Sequence, residues 1–174
     1  MSQSQPVATT VSRTRAIEDL YVRHITAARS TAYLMTGDRA AAEDLAQEAF
    51  LRVIGRFQHL RDPEAFPAYL RRAVVNMTLN HLRKRKAERA YLERERGEPV
   101  RAASFPDVGE QERLWQALLM LPPRRRAAVV LRYYEDLSEQ QAAEALRCSV
   151  GAVRSLVAHA MKTLRQQLGE PDGD

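Results

Sequence analysis

Three groups of residues in this 174-residue chain have types and spacings that could do chemistry. Glu43, Asp44, Gln47 and Glu48 gather three carboxylates and an amide within six residues, enough to hold a divalent cation or to form an acidic docking face. Arg72, Asn76, Asn80, Arg83 and Lys84 recur at three- and four-residue steps. Asparagine amides both donate and accept, and guanidinium and ammonium groups neutralise phosphate, so this set suits contact with bases and backbone. Arg124, Arg125 and Arg126, followed by Arg154, Ser155, His159 and Lys162, form a second cationic set. No nucleophile, base and orienter occur at a recognisable spacing, and there is no glycine-rich phosphate loop or His-Glu-x-x-His pair. The chemistry on offer is binding rather than catalysis, and no cofactor is implied.

The charge is unevenly placed. The formal net charge is +5, yet residues 71–89 alone carry 7 basic and 1 acidic side chains, and residues 113–168 carry 9 and 4. Between them, residues 93–112 hold 3 basic and 6 acidic groups. Two basic blocks flanking an acidic spacer point to two separate contacts with a polyanion, because Lys and Arg on phosphates release counterions. A solvated helix end is the plainer reading of residues 83–86, since cations also suit the last turn.

Helices must position these groups. Alanine (26) and leucine (19) outnumber glycine (7) and proline (8), which favours an all-α fold. Residues 1–14 lack periodicity and read as a disordered leader. Ile17, Leu20, Tyr21, Ile25, Ala28 and Ala32 then repeat as on an amphipathic helix that Gly37 closes. Asp38 caps a second helix with Ala42, Leu45, Ala46, Ala49, Phe50 and Val53 on one face and Asp44, Gln47 and Glu48 opposite. A loop follows at 57–64, and a third helix runs from about Ala65 to Lys86. There Arg72, Asn76, Asn80 and Arg83 fall within an 80° sector. Phe66, Leu70, Ala73, Val74 and Met77 flank this stripe on one side, and Val75, Leu79 and Leu82 on the other. Phe66 and Tyr69 read as core, with stacking on unpaired bases as the alternative.

Residues 91–111, with two glycines and two prolines, read as a linker. Leu114, Trp115, Leu118, Leu119 and Leu121 mark a short helix ended by Pro122 and Pro123, and another helix spans about Pro123 to Tyr134. Ser138 with Gln141 makes a capping box, and Ser149 caps a last helix with Val153, Val157, Ala160 and Leu164 on its inner face. Two short helices joined by a tight turn form a helix-turn-helix. The expected domains are 15–90 and 112–168, with a tail at 169–174. Cys148 reads as a small packing residue in the turn, and His24, His59, His81 and His159 do not cluster, so no metal site is expected. No secretory signal or apolar run of membrane-spanning length occurs, so a cytoplasmic protein without membrane insertion is expected.

Four stretches together resemble bacterial RNA polymerase sigma factors of the extracytoplasmic-function type. DRAAAEDLAQEAFLRV (38–53) is similar to region 2.2, and the segment from FPAYLRRAVVN to HLRKRK (66–86) to regions 2.3 and 2.4. LPPRRRAAVVLRYYEDLS (121–138) and CSVGAVRS (148–155) resemble region 4. Tyr69 stands where Trp is frequent, Arg147 replaces a common Gly, and Leu156 takes a position usually held by Arg or Gln. The resemblance implies that Asp44, Gln47 and Glu48 bind core RNA polymerase. It implies that the loop at 57–64, with His59 and Arg61, captures a base flipped from the minus-ten element, and that Asn76, Asn80, Arg83 and Lys84 hold that strand. Arg154, Ser155, His159 and Lys162 would enter the minus-thirty-five major groove, with Arg124, Arg125 and Arg126 on phosphates. An anti-sigma factor is an expected further partner. Two other readings compete: a helix-turn-helix repressor that binds duplex DNA alone, and a nucleic-acid-processing enzyme with Glu43, Asp44 and Glu48 as a metal site.

Overall fold

The computed structural model describes residues 6–57, 63–96 and 109–169, and among these only helices and their connections occur. They are α1 (Pro6–Thr36), α2 (Arg39–Phe57), a 3₁₀ turn (Pro63–Ala65), α3 (Phe66–Arg96), α4 (Glu110–Met120), α5 (Pro123–Val129) continued by a π-helical turn (Val130–Tyr134), α6 (Glu139–Leu146) and α7 (Val150–Leu168). The helix expected from Arg15 starts nine residues earlier, so residues 6–14 are part of α1 rather than a leader. Proline is tolerated at a first helical position because its missing N–H has no intrahelical partner there. Likewise α3 passes Lys86 and runs to Arg96, through Ala, Glu, Arg and Leu, which all favour helix. The tail beyond Gly169 lies outside the described residues.

The stop and start signals act where they were read. Gly37 has φ +70 and donates its N–H to the Tyr33 carbonyl at 2.8 Å. The positive φ is what favours glycine here; a Cβ would also stand 2.9 Å from Leu119 Cδ1 of α4, a side-chain end that can shift to make room. Asp38 Oδ1 accepts from the Ala41 N–H at 3.1 Å and caps α2. Ser138 and Gln141 complete the capping box of α6, and Ser149 Oγ accepts from the Ala152 N–H at the start of α7.

Two apolar cores follow from the amphipathic faces. Helices α1, α2 and α3 enclose Ile25, Ala32, Leu45, Ala49, Phe50, Phe66 and Val74, with Phe50 and Phe66 edge to face at 5.7 Å between ring centres. Helix α4 packs on α7 through Ala117, Leu121, Ala160 and Leu164. A third cluster joins the two halves. Met35 of α1 and Val75 of α3, both fully buried, lie with Ala127, Leu131, Leu137, Ala142, Leu146 and Val153 from α5 to α7. Each large side chain buried this way contributes roughly 1.5–3 kcal/mol. The segments expected as separate domains are thus packed on one another.

Polar contacts line the same seam. Glu135 accepts from Arg71 Nε at 2.6 Å and from the Thr31 hydroxyl. Tyr33 of α1 stacks on Trp115 of α4 with ring centres 5.1 Å apart. Arg126 is buried and donates to the carbonyls of Met35, Leu119 and Leu121.

Candidate nucleic-acid interface

The acidic face lies on α2, whose inner residues Leu45, Ala46 and Ala49 are buried and so turn Asp44, Gln47 and Glu48 outward. All three are exposed. Gln47 donates to Glu43 at 2.8 Å, and Glu48 pairs with Arg52 at 2.5 Å. Glu43 also accepts from Arg29 at 3.0 Å. Those bonds from Gln47 and Arg29 hold its carboxyl below the usual range. Glu43 and Glu48 are satisfied by side chains one turn away or on α1. Among the described residues no group of three or more His, Cys, Asp or Glu is arranged to hold a metal ion.

The stripe on α3 is assembled as read. Asn76, Asn80 and Arg72 line one cavity of about 550 Å³, together with Arg52, Val53 and Arg56 of α2, Tyr69, Ala73 and Met77 of α3, and Arg147 from the α6–α7 turn. Arg83 and Lys84 continue the stripe and are exposed, with Arg83 donating to Asn80 Oδ1 at 3.2 Å. Asn76 is committed on both amide hydrogens, to the Arg72 carbonyl at 2.6 Å and, across the seam, to the Ala145 carbonyl of α6 at 3.1 Å. Phe66 is fully buried, as expected of a core residue. Tyr69 is not: it is 44% exposed and forms part of the cavity wall, because the helix turns it toward the stripe rather than toward α1. His59 and Arg61 lie outside the described residues.

Helix α7 buries Val153, Ala160 and Leu164 and leaves Arg154, Ser155, His159 and Lys162 exposed on the opposite side. Arg154 pairs with Glu139 at 2.7 Å. With the arginine side chain 68% exposed, this bridge contributes under about 1 kcal/mol and yields easily to another anion. Leu156 is half-buried against the apolar cluster, which explains why an apolar side chain serves there: it faces protein. Arg124 is exposed and Arg125 partly so. Arg126 departs from its expected place on a phosphate. Its guanidinium is inside the seam on three carbonyls, and burial draws its pKa down. Sequence reading also missed Arg52, Arg56 and Arg147 in the cavity wall. Arg147 was visible only as an arginine in place of a turn glycine.

Comparison with known proteins decides the family. The chain matches the family model for Sigma-70 region 2 over residues 20–88 and that for Sigma-70 region 4 over residues 111–164. It is 35% identical over 141 residues to the RNA polymerase sigma-E factor of Streptomyces avermitilis, covering 79% of this chain and 76% of that one. The chain belongs to the sigma-70 family of RNA polymerase sigma factors, of the extracytoplasmic-function type. It is also 29% identical over 150 residues to the ECF sigma factor SigW of Bacillus subtilis, covering 78% of this chain and 80% of that one. Among solved structures, the sigma factor RpoE of Bartonella quintana, crystallised with the anti-sigma factor NepR, shares the fold with a TM-score of 0.71 at 21% identity, over 91% of this chain and 99% of that one. Sigma factors are transcription initiation factors that bind core RNA polymerase and promoter DNA. No described helix is long and apolar enough to cross a membrane.

Proposed function

We propose that this sigma factor reads a minus-thirty-five element with α7, holds the melted minus-ten strand on the α3 stripe, and docks on core polymerase through the outer face of α2. The observation that supports this best is the α3 stripe itself. Two asparagines and an arginine line a cavity with an exposed tyrosine, which is the mixture of amide, cation and aromatic surface that unpaired bases require. His59 and Arg61 are assigned to the strand site in this reading. Arg124 and Arg125 serve as phosphate contacts beside α7, while Arg126 is left to the seam. The protein works in the cytoplasm beside polymerase and DNA. A regulator of the anti-sigma class is a further partner, since the similar RpoE was solved with one.

The test is binding of a single-stranded minus-ten oligonucleotide to the polymerase-bound chain. Replacing Asn76 and Asn80 with Ala should cost roughly 1–3 kcal/mol per lost base contact, with polymerase assembly unchanged. An equal loss on scrambled oligonucleotides would make the stripe a phosphate grip and end the strand-reading proposal.

A further inference from the structure

We infer that the cavity between α2, α3 and the α6–α7 turn is a binding site for a free nucleoside polyphosphate, present only while the two halves of the chain are packed together. The inference rests on the strand-face reading in one respect: the site uses two of the same asparagines.

Four arginines, Arg52, Arg56, Arg72 and Arg147, line this one cavity, and among the described residues no carboxylate does. Arg52 is paired with Glu48, whereas among the described residues Arg56, Arg72 and Arg147 have no carboxylate partner. Like charges facing a shared hollow repel one another, so the packed arrangement holds uncompensated positive charge that a bound anion would relieve. The arginines stand on three different elements, α2, α3 and the α6–α7 turn, so an anion with more than one phosphate could engage several of them at once. Guanidinium is also the group that grips phosphate in two-pronged fashion.

The rest of the wall is of another kind. Val53, Tyr69, Ala73 and Met77 give an apolar and aromatic surface on which a base can lie, and Asn80 keeps its amide donors for a base edge. A volume of about 550 Å³ falls in the range of small-ligand pockets and exceeds what phosphate alone would fill.

Arg147 supplies the independent observation. It caps α6 with φ 51 and ψ 54, a left-handed conformation that glycine adopts freely and that costs other residues. Here an arginine rather than a glycine holds the left-handed cap, and the same residue lines the cavity. Because Arg147 belongs to the second half of the chain, a ligand that it shares with α2 and α3 bridges the seam and favours the packed form. That form has Asn76 committed to Ala145, so the nucleotide would oppose strand capture.

The experiment is calorimetric titration of the full chain with ATP, GTP, GDP, inorganic pyrophosphate and a short thymidine oligonucleotide, with the thermal midpoint measured alongside. Expected are saturable submillimolar binding of the nucleoside polyphosphates, a higher midpoint, and at least tenfold weaker binding in Arg147→Gly. Glycine suits the left-handed position, so this variant folds; Arg56→Ala, which alters the opposite wall, should weaken binding similarly. Absence of saturable nucleotide binding, unchanged affinity in both variants, or pyrophosphate binding as tightly as the nucleotides would overturn the inference. So would binding of the oligonucleotide alone, which would assign the cavity to the promoter strand. Minus-ten oligonucleotide binding by the polymerase-bound Arg147→Gly chain separates the two proposals. Retained binding agrees with a distinct ligand site, whereas loss would merge Arg147 into the strand site and leave only the strand reading standing.

Discussion

Glu135 is the point at which the seam should open. It sits just past the π-helical turn and receives Arg71 from α3 and Thr31 from α1, so one carboxylate ties the second half of the chain to two helices of the first. In Glu135→Ala, Thr31 keeps a partner, since its hydroxyl reaches the Ala27 carbonyl at 3.0 Å, and that side of the loss is small. Arg71 is the costlier side. A charge-assisted hydrogen bond contributes roughly 1.5–3 kcal/mol, but the Arg71 side chain is 25% exposed and regains some water once its partner is gone. A cost of about 2 kcal/mol follows, equivalent to a shift of roughly 30-fold in the ratio of packed to open chains. Glu135→Gln keeps an acceptor without the charge and should cost about half as much.

The chain carries its own reporter. Trp115 is the single tryptophan, and its stacking on Tyr33 spans the seam. Opening should shift Trp115 emission to the red and raise the radius of gyration measured by X-ray scattering, while helical circular dichroism stays constant. A double-mutant cycle with Arg71→Ala should return a coupling near 2 kcal/mol. A coupling under about 0.5 kcal/mol, with emission and scattering unmoved, would refute the claim that this bridge holds the halves together.

Asp44→Arg with Glu48→Arg should leave the circular dichroism spectrum intact and abolish co-purification with core polymerase; retained binding would relocate the docking face. Arg154→Ala should reduce discrimination among minus-thirty-five variants by roughly 1–3 kcal/mol, whereas Arg125→Ala should weaken all variants alike and make the salt slope about one unit shallower. Equal shifts across a variant panel would move Arg154 to the phosphate contacts. His24, beside Phe66, has its pKa lowered from 6.5 by burial and by Arg23. The unfolded chain therefore takes up the proton first, and stability should fall as pH drops below about 6.5 toward the lower folded value. Thermal melts of His24→Gln should show a flatter profile over that window, and an identical profile would assign the pH response to another group.

Local signals in the sequence were legible because they act over three or four residues. The Asp38, Ser138 and Ser149 caps, the Gly37 stop and the inner face of α7 each depend on neighbours within a turn, and each is found in place. The limits of α1 and α3 were harder to read. Residues 6–14 carry no apolar repeat, yet a helix can extend over them from an established end, since propagation is easier than nucleation. The candidate faces on α2, α3 and α7 were readable for the same reason as the core, because periodicity that buries one side exposes the other. The composition of the cavity wall was not. Arg52, Arg56 and Arg147 meet Asn76 only through packing of helices distant in sequence, and no spacing rule links them.

The seam left a trace whose meaning depends on the fold. Helix α3 shows apolar residues on both flanks of its polar stripe, and a helix lying on one bundle needs only one. The second flank, Val75 with Leu79, is covered by the half of the chain that carries the helix-turn-helix. Arg126 marks the other side of the same contact. Within a run of three arginines its type suggests phosphate, but position decides: Arg124 is exposed at the surface, while Arg126 faces α1 and directs its Nη donors to Met35, Leu119 and Leu121. Asn76 then carries the functional consequence. Both of its amide hydrogens are engaged in the packed form, one of them on Ala145, so the same side chain cannot also donate to a base. The strand capture proposed for Asn76 would therefore require α6 to leave α3, and whatever holds Glu135, Arg126 and Trp115 in place would compete with it. The outer faces of α7 and α2 are exposed in the packed form, so contacts made there would not have to wait for the seam to part.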